Sequence, residues 1–196
     1  MIIEATEEGG LCFGLQEERD WEIFELLVSD AQGRGEGWLA KRLGVMLDDE
    51  DWDEFVAPGL TSQFESEVAR VRAILRDAFE KSQHQQREAE QVAEPKEKSP
   101  AGEESGELSF EDLDDLEEEP PVIGEVPITR EDSGTWYSVL NQARLALEGK
   151  WKLAALEDEE GLDSLEKIEP ERVSAYLRNR FYTRIQAMLL EFVLDL

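Results

Sequence analysis

The chain has 196 residues, and its 48 Asp and Glu against 20 Lys and Arg give a formal net charge of −28. Such a polyanion repels nucleic acid and anionic lipid unless one face is locally basic, and the densest basic cluster, Arg70, Arg72 and Arg76, is interleaved with Glu65, Glu67 and Asp77. Apolar residues make up 40% of the chain, enough for a core; the single cysteine, Cys12, excludes an internal disulfide, and no run nears the roughly 20 apolar residues of a membrane span.

The first eight residues lack the basic start and apolar run of a secretory signal, so a soluble, cytoplasmic protein is expected. Ile2, Ile3 and Ala5 precede Gly9-Gly10, and Leu11, Phe13 and Leu15 follow at strand period. Two glycines supply the positive φ of a tight turn, which predicts a β-hairpin over 1–15. A hairpin is marginal alone and must lie on something.

Helix is predicted from near Glu17, where Trp21, Phe24, Leu27 and Val28 recur at helical spacing and Ile23 and Leu26 widen the stripe. Gly33, Gly35 and Gly37 end it, and a short helix is expected over Trp38–Leu43. An acidic connector surrounds Trp52, Pro58-Gly59 reads as a stop, and Ser62 with Glu65 forms a capping-box pattern. The helix expected next carries Phe64, Val68, Val71, Leu75, Ala78 and Phe79 on one face and runs to about Gln91.

Between His84 and Glu125 there are fifteen acidic and three basic residues, with Pro95, Pro100, Pro120 and Pro121 interrupting. So little apolar surface cannot offset the entropy of ordering, so residues 93–125 are expected to be a disordered acidic linker. Beyond it, Thr129 with Asp132 is a weak helix start, Trp136, Leu140, Ala143 and Leu147 form a stripe, and residues 157–169 read as an acidic turn region with one helical turn at Leu162–Lys167. Pro170 suits a first helical position. The last helix carries Val173, Leu177, Phe181, Ile185, Met188, Leu189, Phe192 and Leu196, a face broad enough for the centre of a bundle or for a partner chain. The fold expected is mainly α: a helical bundle with a short N-terminal β-hairpin and a long disordered acidic linker. Each flank holds too few helices for a comfortable core, so residues 1–92 and 126–196 are expected to form one helical domain together.

No catalytic set emerges. His84 stands alone in a Gln-rich polar stretch, and Cys12 has no cation beside it. Zinc chemistry needs more His and Cys ligands than the chain holds. Gly33-Arg34-Gly35-Glu36-Gly37 follows a helix and not a strand, unlike a phosphate loop. Read as an EF-hand from Asp49, the run Asp48–Glu54 places Glu54 where Gly is needed and Leu60 where a bidentate Glu is needed, so at most weak divalent binding is left. The expectation is a non-enzymatic protein without cofactor or metal.

One short piece stands out. In Glu107–Glu119, the apolar Leu108, Phe110, Leu113 and Leu116 sit among carboxylates, and a helix would put Phe110, Leu113 and Leu116 on one side. Such acidic–hydrophobic segments fold onto grooves with basic rims. The alternative is a solvated linker with incidental leucines.

Trp136-Tyr137-Ser138-Val139-Leu140-Asn141-Gln142-Ala143-Arg144-Leu145-Ala146-Leu147 resembles the Trp-x-x-x-Leu-Asn-x-x-Arg-Leu-x-Leu signature of the bacterial family called domain of unknown function two-thousand-seventeen. Gly149-Lys150-Trp151-Lys152 departs from the run that usually follows, which suggests a distant member. The resemblance implies an uncharacterised regulatory or interaction protein, linked to Clp-dependent proteolysis because such genes often neighbour that of the adaptor ClpS. It marks Trp136, Leu140, Asn141, Arg144 and Leu147. Trp136, Leu140 and Leu147 read as core; Asn141 and Arg144 are either a structural polar network or a recognition patch. The expectation is a protein partner, no specific nucleic acid and no membrane. Two other readings stay open: an acidic decoy of a nucleic-acid-binding surface, and an enzyme of unknown type.

Overall fold

The computed structural model describes residues 1–47, 51–92, 121–157 and 168–193. Their elements are β1 (Ile2–Ala5), β2 (Leu11–Leu15), α1 (Arg19–Gln32), α2 (Trp38–Leu47), α3 (Trp52–Phe55), α4 (Ala57–Val92), β3 (Gly124–Ile128), α5 (Ser133–Trp151), α6 (Ala154–Glu157) and α7 (Pro170–Phe192). Among the described residues, no helix is long and apolar enough to cross a membrane.

The N-terminal hairpin forms, with Ile2 opposite Gly14 and Ala5 opposite Leu11. Its turn rests on Gly9 at φ +76° and on Gly10, whose N–H donates to Thr6 Oγ1 at 2.9 Å. A Cβ on Gly10 would lie 2.4 Å from the carbonyl oxygen of Ile128. That oxygen belongs to a third strand. β3 lies antiparallel to β2, pairing Leu11 with Ile128 and Leu15 with Gly124, so β2 is the central strand. Leu11, Phe13, Leu15, Gly124, Val126 and Ile128 face the core, while Glu125 faces outward and Pro127 sits on an edge strand, where its missing N–H breaks no ladder bond. The linker expected through residue 125 therefore ends earlier. Alternation from Gly124 onward is hidden in the sequence because its first inward position is a glycine.

The sheet's inner face packs on the helices. Phe13 meets Phe24 edge-on at 5.5 Å, and Phe24 meets Trp136 in the same manner at 6.2 Å. Such pairs add about 0.5–1.5 kcal/mol to their burial. α5 lies between α1, α4 and α7, and it buries Trp136, Val139, Leu140, Ala143, Ala146 and Leu147. Residues before and after the central acidic stretch thus share one core.

Several expected boundaries and faces shift. α1 starts at Arg19 and leaves Leu26 exposed. α2 runs on to Leu47. Pro58-Gly59 does not stop the chain; it lies in the first turn of α4, where a proline's missing N–H costs nothing, and the Ser62–Glu65 pattern falls inside the helix. α7 begins at Pro170 as expected, yet α5 and not α7 holds the centre of the bundle. α7 buries Ala175, Tyr182, Ile185, Gln186 and Leu189 and leaves Leu177 and Phe192 exposed. The buried stripe is rotated because Tyr182 and Gln186 are drawn inward by hydrogen bonds to Asp30 and to the Tyr137 carbonyl. The expected turn at Leu162–Lys167, Leu196, Asp48–Glu50 and the stretch containing Phe110, Leu113 and Leu116 lie outside the described residues.

Candidate interaction surfaces

Trp136, Leu140 and Leu147 are core residues. Asn141 and Arg144, although three apart on α5, part company: Asn141 is exposed, and half-buried Arg144 donates through Nη1 to Gln186 Oε1. Gln186 in turn donates to the Tyr137 carbonyl at 3.1 Å, tying α5 to α7. A second polar link joins α5 to α4, where Ser138 and the buried Gln142 both donate to Glu67 Oε2, the latter at 3.0 Å. Neither the sequence spacing nor the apolar stripe points to Glu67, which sits 75 residues from its partner Gln142.

The third polar cluster joins α1 to α7. Arg178 clasps Asp30 with Nε to Oδ2 at 2.7 Å and Nη2 to Oδ1 at 3.3 Å, while Tyr182 donates its hydroxyl to Oδ2 at 3.0 Å. Burial first, and then the Asp30 charge, push the Tyr182 phenol above its ordinary range. A phenol held neutral in this way is a donor and not a base, so the cluster serves as a clamp.

The two nucleophile or base candidates of the sequence, Cys12 and His84, lie on different elements, β2 and α4. Burial raises the Cys12 thiol, and Glu125 and Glu4 on the flanking strands raise it further. The thiolate needed for attack is thereby disfavoured. His84 stands 76% exposed on α4 with only Glu88 beside it, at 3.4 Å. Among the described residues no group of three or more His, Cys, Asp or Glu is placed to hold a metal. A cleft of about 650 Å³ lies between the Gly33–Gly37 loop and α4, lined also by Trp38, Thr61, Phe64 and Arg72. Its carboxylates, Glu36 and Glu65, face no histidine or cysteine among the lining residues.

The exposed apolar surface is more informative. At the α2–α3 corner Val45, Met46, Leu47 and Phe55 are 83%, 67%, 63% and 71% exposed, with Val56 beside them. One side chain ties α3 to α2. Trp52 donates from Nε1 to the Ala40 carbonyl at 2.7 Å and its indole rests against Gly44, whose missing side chain makes the space. Asp51, Asp53 and Glu54, the neighbours of Trp52 and Phe55 in the chain, are exposed as well. No family model, curated protein or solved structure matches the chain.

Proposed function

We propose that the protein is a non-enzymatic protein-interaction module whose α2–α3 corner receives a partner with an apolar centre and a basic rim. The observation that carries this reading is the set of exposed large side chains Val45, Met46, Leu47 and Phe55 on a corner pinned by Trp52. Contiguous exposed apolar surface rimmed by charge marks interaction sites. The neighbouring Asp51, Asp53 and Glu54 select for a basic rim on the partner and predict salt-sensitive association. A raised Cys12 thiol and a solvated His84 beside Glu88 also fit a role without covalent or acid–base chemistry.

The resemblance along Trp136–Leu147 supplies the first partner to try, the Clp adaptor and its protease. Purified chain is immobilised beside a Met46→Asp/Phe55→Asp variant, and Clp components are passed over both. Capture by the original chain and its loss in a variant of unchanged melting temperature is the expected result. Equal capture by both forms would move the interaction to another face. Absence of any Clp capture would remove that setting and leave the corner to be tested with other partners.

A further inference from the structure

A groove of about 340 Å³ runs between α1 and α4, walled by Trp21, Phe24, Val28, Leu75 and Phe79. Trp21 stands edge-on to Phe79, ring centres 5.2 Å apart, and Phe79 is 43% exposed at its mouth. The rim carries Arg72, Arg76 and Glu25. Arg76 reaches Asp77 at 3.2 Å, whereas Arg72 has no ion-pair partner among the described residues. Arg76 also lies 3.9 Å from Glu80, so in a chain with 48 acidic and 20 basic side chains the cation the groove leaves for a ligand is Arg72.

The same chain contains a segment of complementary chemistry. Glu107–Glu119 places Leu108, Phe110, Leu113 and Leu116 among eight carboxylates. Its tether ends beside the groove. The Ile123 carbonyl accepts from Gln86 Nε2 on α4 at 3.1 Å, and a Cβ on Gly124 would lie 2.8 Å from Trp21 Cζ2 and 3.0 Å from Ser82 Cβ. Gly124 therefore rests on a wall residue of the groove itself. Leu116 stands eight positions before Gly124, a reach of up to about 28 Å when extended.

We infer that Glu107–Glu119 docks in the α1–α4 groove of its own chain, with Phe110, Leu113 and Leu116 against Trp21, Leu75 and Phe79 and with carboxylates facing Arg72. A short tether gives the segment an effective concentration in the millimolar range, so an intrinsically weak contact is enough to keep the groove filled. Any outside ligand of the groove, or any outside receptor for the segment, must displace this internal contact. The inference is independent of the α2–α3 corner and of whatever binds there.

The test is a titration with a fluorescently labelled synthetic peptide spanning Glu107–Glu119. It is added to the full chain, to the full chain carrying Phe110→Ala and Leu113→Ala, and to that double variant with Arg72→Glu added. The double variant should bind the peptide about tenfold or more tightly than the original chain, because its own segment no longer competes. Arg72→Glu, an exposed change that the fold tolerates, should then abolish binding. Equal binding by the original chain and the double variant would overturn the internal contact and leave the groove to a second copy. Failure of the double variant to bind, or indifference to Arg72→Glu, would overturn the groove as the acceptor.

Discussion

Arg178 on α7 and Asp30 on α1 are 148 residues apart in sequence and form a two-point ion pair, 2.7 Å and 3.3 Å, with side chains only 16% and 12% exposed. Burial works to lower the Arg178 pKa, but the hydrogen bond and charge of Asp30 more than offset it, so the guanidinium stays fully charged. Removing one partner leaves the other charge buried. Asp30→Ala should destabilise the fold by about 3 kcal/mol, read as a lower midpoint in urea. The double change Asp30→Ala/Arg178→Ala should cost less than the sum of the two single changes.

Tyr182 gives the same clamp a pH dependence. Its folded-state pKa is raised above the ordinary 10.0, by burial first and by Asp30 second. The fold therefore favours the neutral phenol, and the unfolded chain loses its proton first as pH rises. The associated stability is intact below pH 10 and declines as pH climbs above it. Tyr182→Phe should flatten that decline, as followed by urea midpoints between pH 9 and 11 on a buffer series (roughly two pH units around the ordinary value).

Gly44 predicts a local effect. A Cβ there would lie 2.3 Å from Trp52 Cδ1, so Gly44→Ala must push the indole off its seat and strain the Nε1 bond to the Ala40 carbonyl. Overpacking of this kind costs about 1–3 kcal/mol. Any gain in helix propensity, about 1 kcal/mol, offsets only part of it. The expected readout is a red-shifted tryptophan emission, absent when Trp52→Phe is the starting protein.

Glu67 accepts from both Ser138 and the 3%-exposed Gln142. Glu67→Ala strands a buried amide and should cost about 1–3 kcal/mol. Glu67→Gln, which keeps an acceptor in place, should retain more of the stability. Comparable losses in the two variants would mean that the carboxylate acts by charge and not by hydrogen bonding.

The elements were legible where period and composition agreed. Leu11, Phe13 and Leu15 announce a strand, and Trp136, Leu140 and Leu147 announce a buried helix face, because each is set by local alternation or by a 3.6-residue repeat. β3 was not legible, since its first inward position is Gly124 and its run includes Pro127. The true face of α7 was hidden for a different reason: Tyr182 and Gln186 are buried by partners on other helices, and no count of apolar residues records those partners. The same holds for the interaction surfaces. Phe79 looks like core in the sequence because it shares the stripe of Val71, Leu75 and Ala78, and only packing reveals that it is left 43% exposed. Spacing put Asn141 and Arg144 on one helix face, yet the tertiary bond to Gln186 engages Arg144 alone.

The position of β2 between β1 and β3 also sets a schedule for the growing chain. β1 and β2 are made well before β3, and the open edge of β2 is closed only when Gly124–Ile128 arrive. At roughly 5–20 residues per second, the intervening stretch of about a hundred residues takes on the order of 5–20 s to be made. During that interval Leu11, Phe13 and Leu15 form one face of a two-stranded ribbon whose third strand does not yet exist. Until then β2 keeps an open edge of the kind that can pair with a neighbour's strand, and the acidic sequence made meanwhile adds like charge that opposes such an encounter.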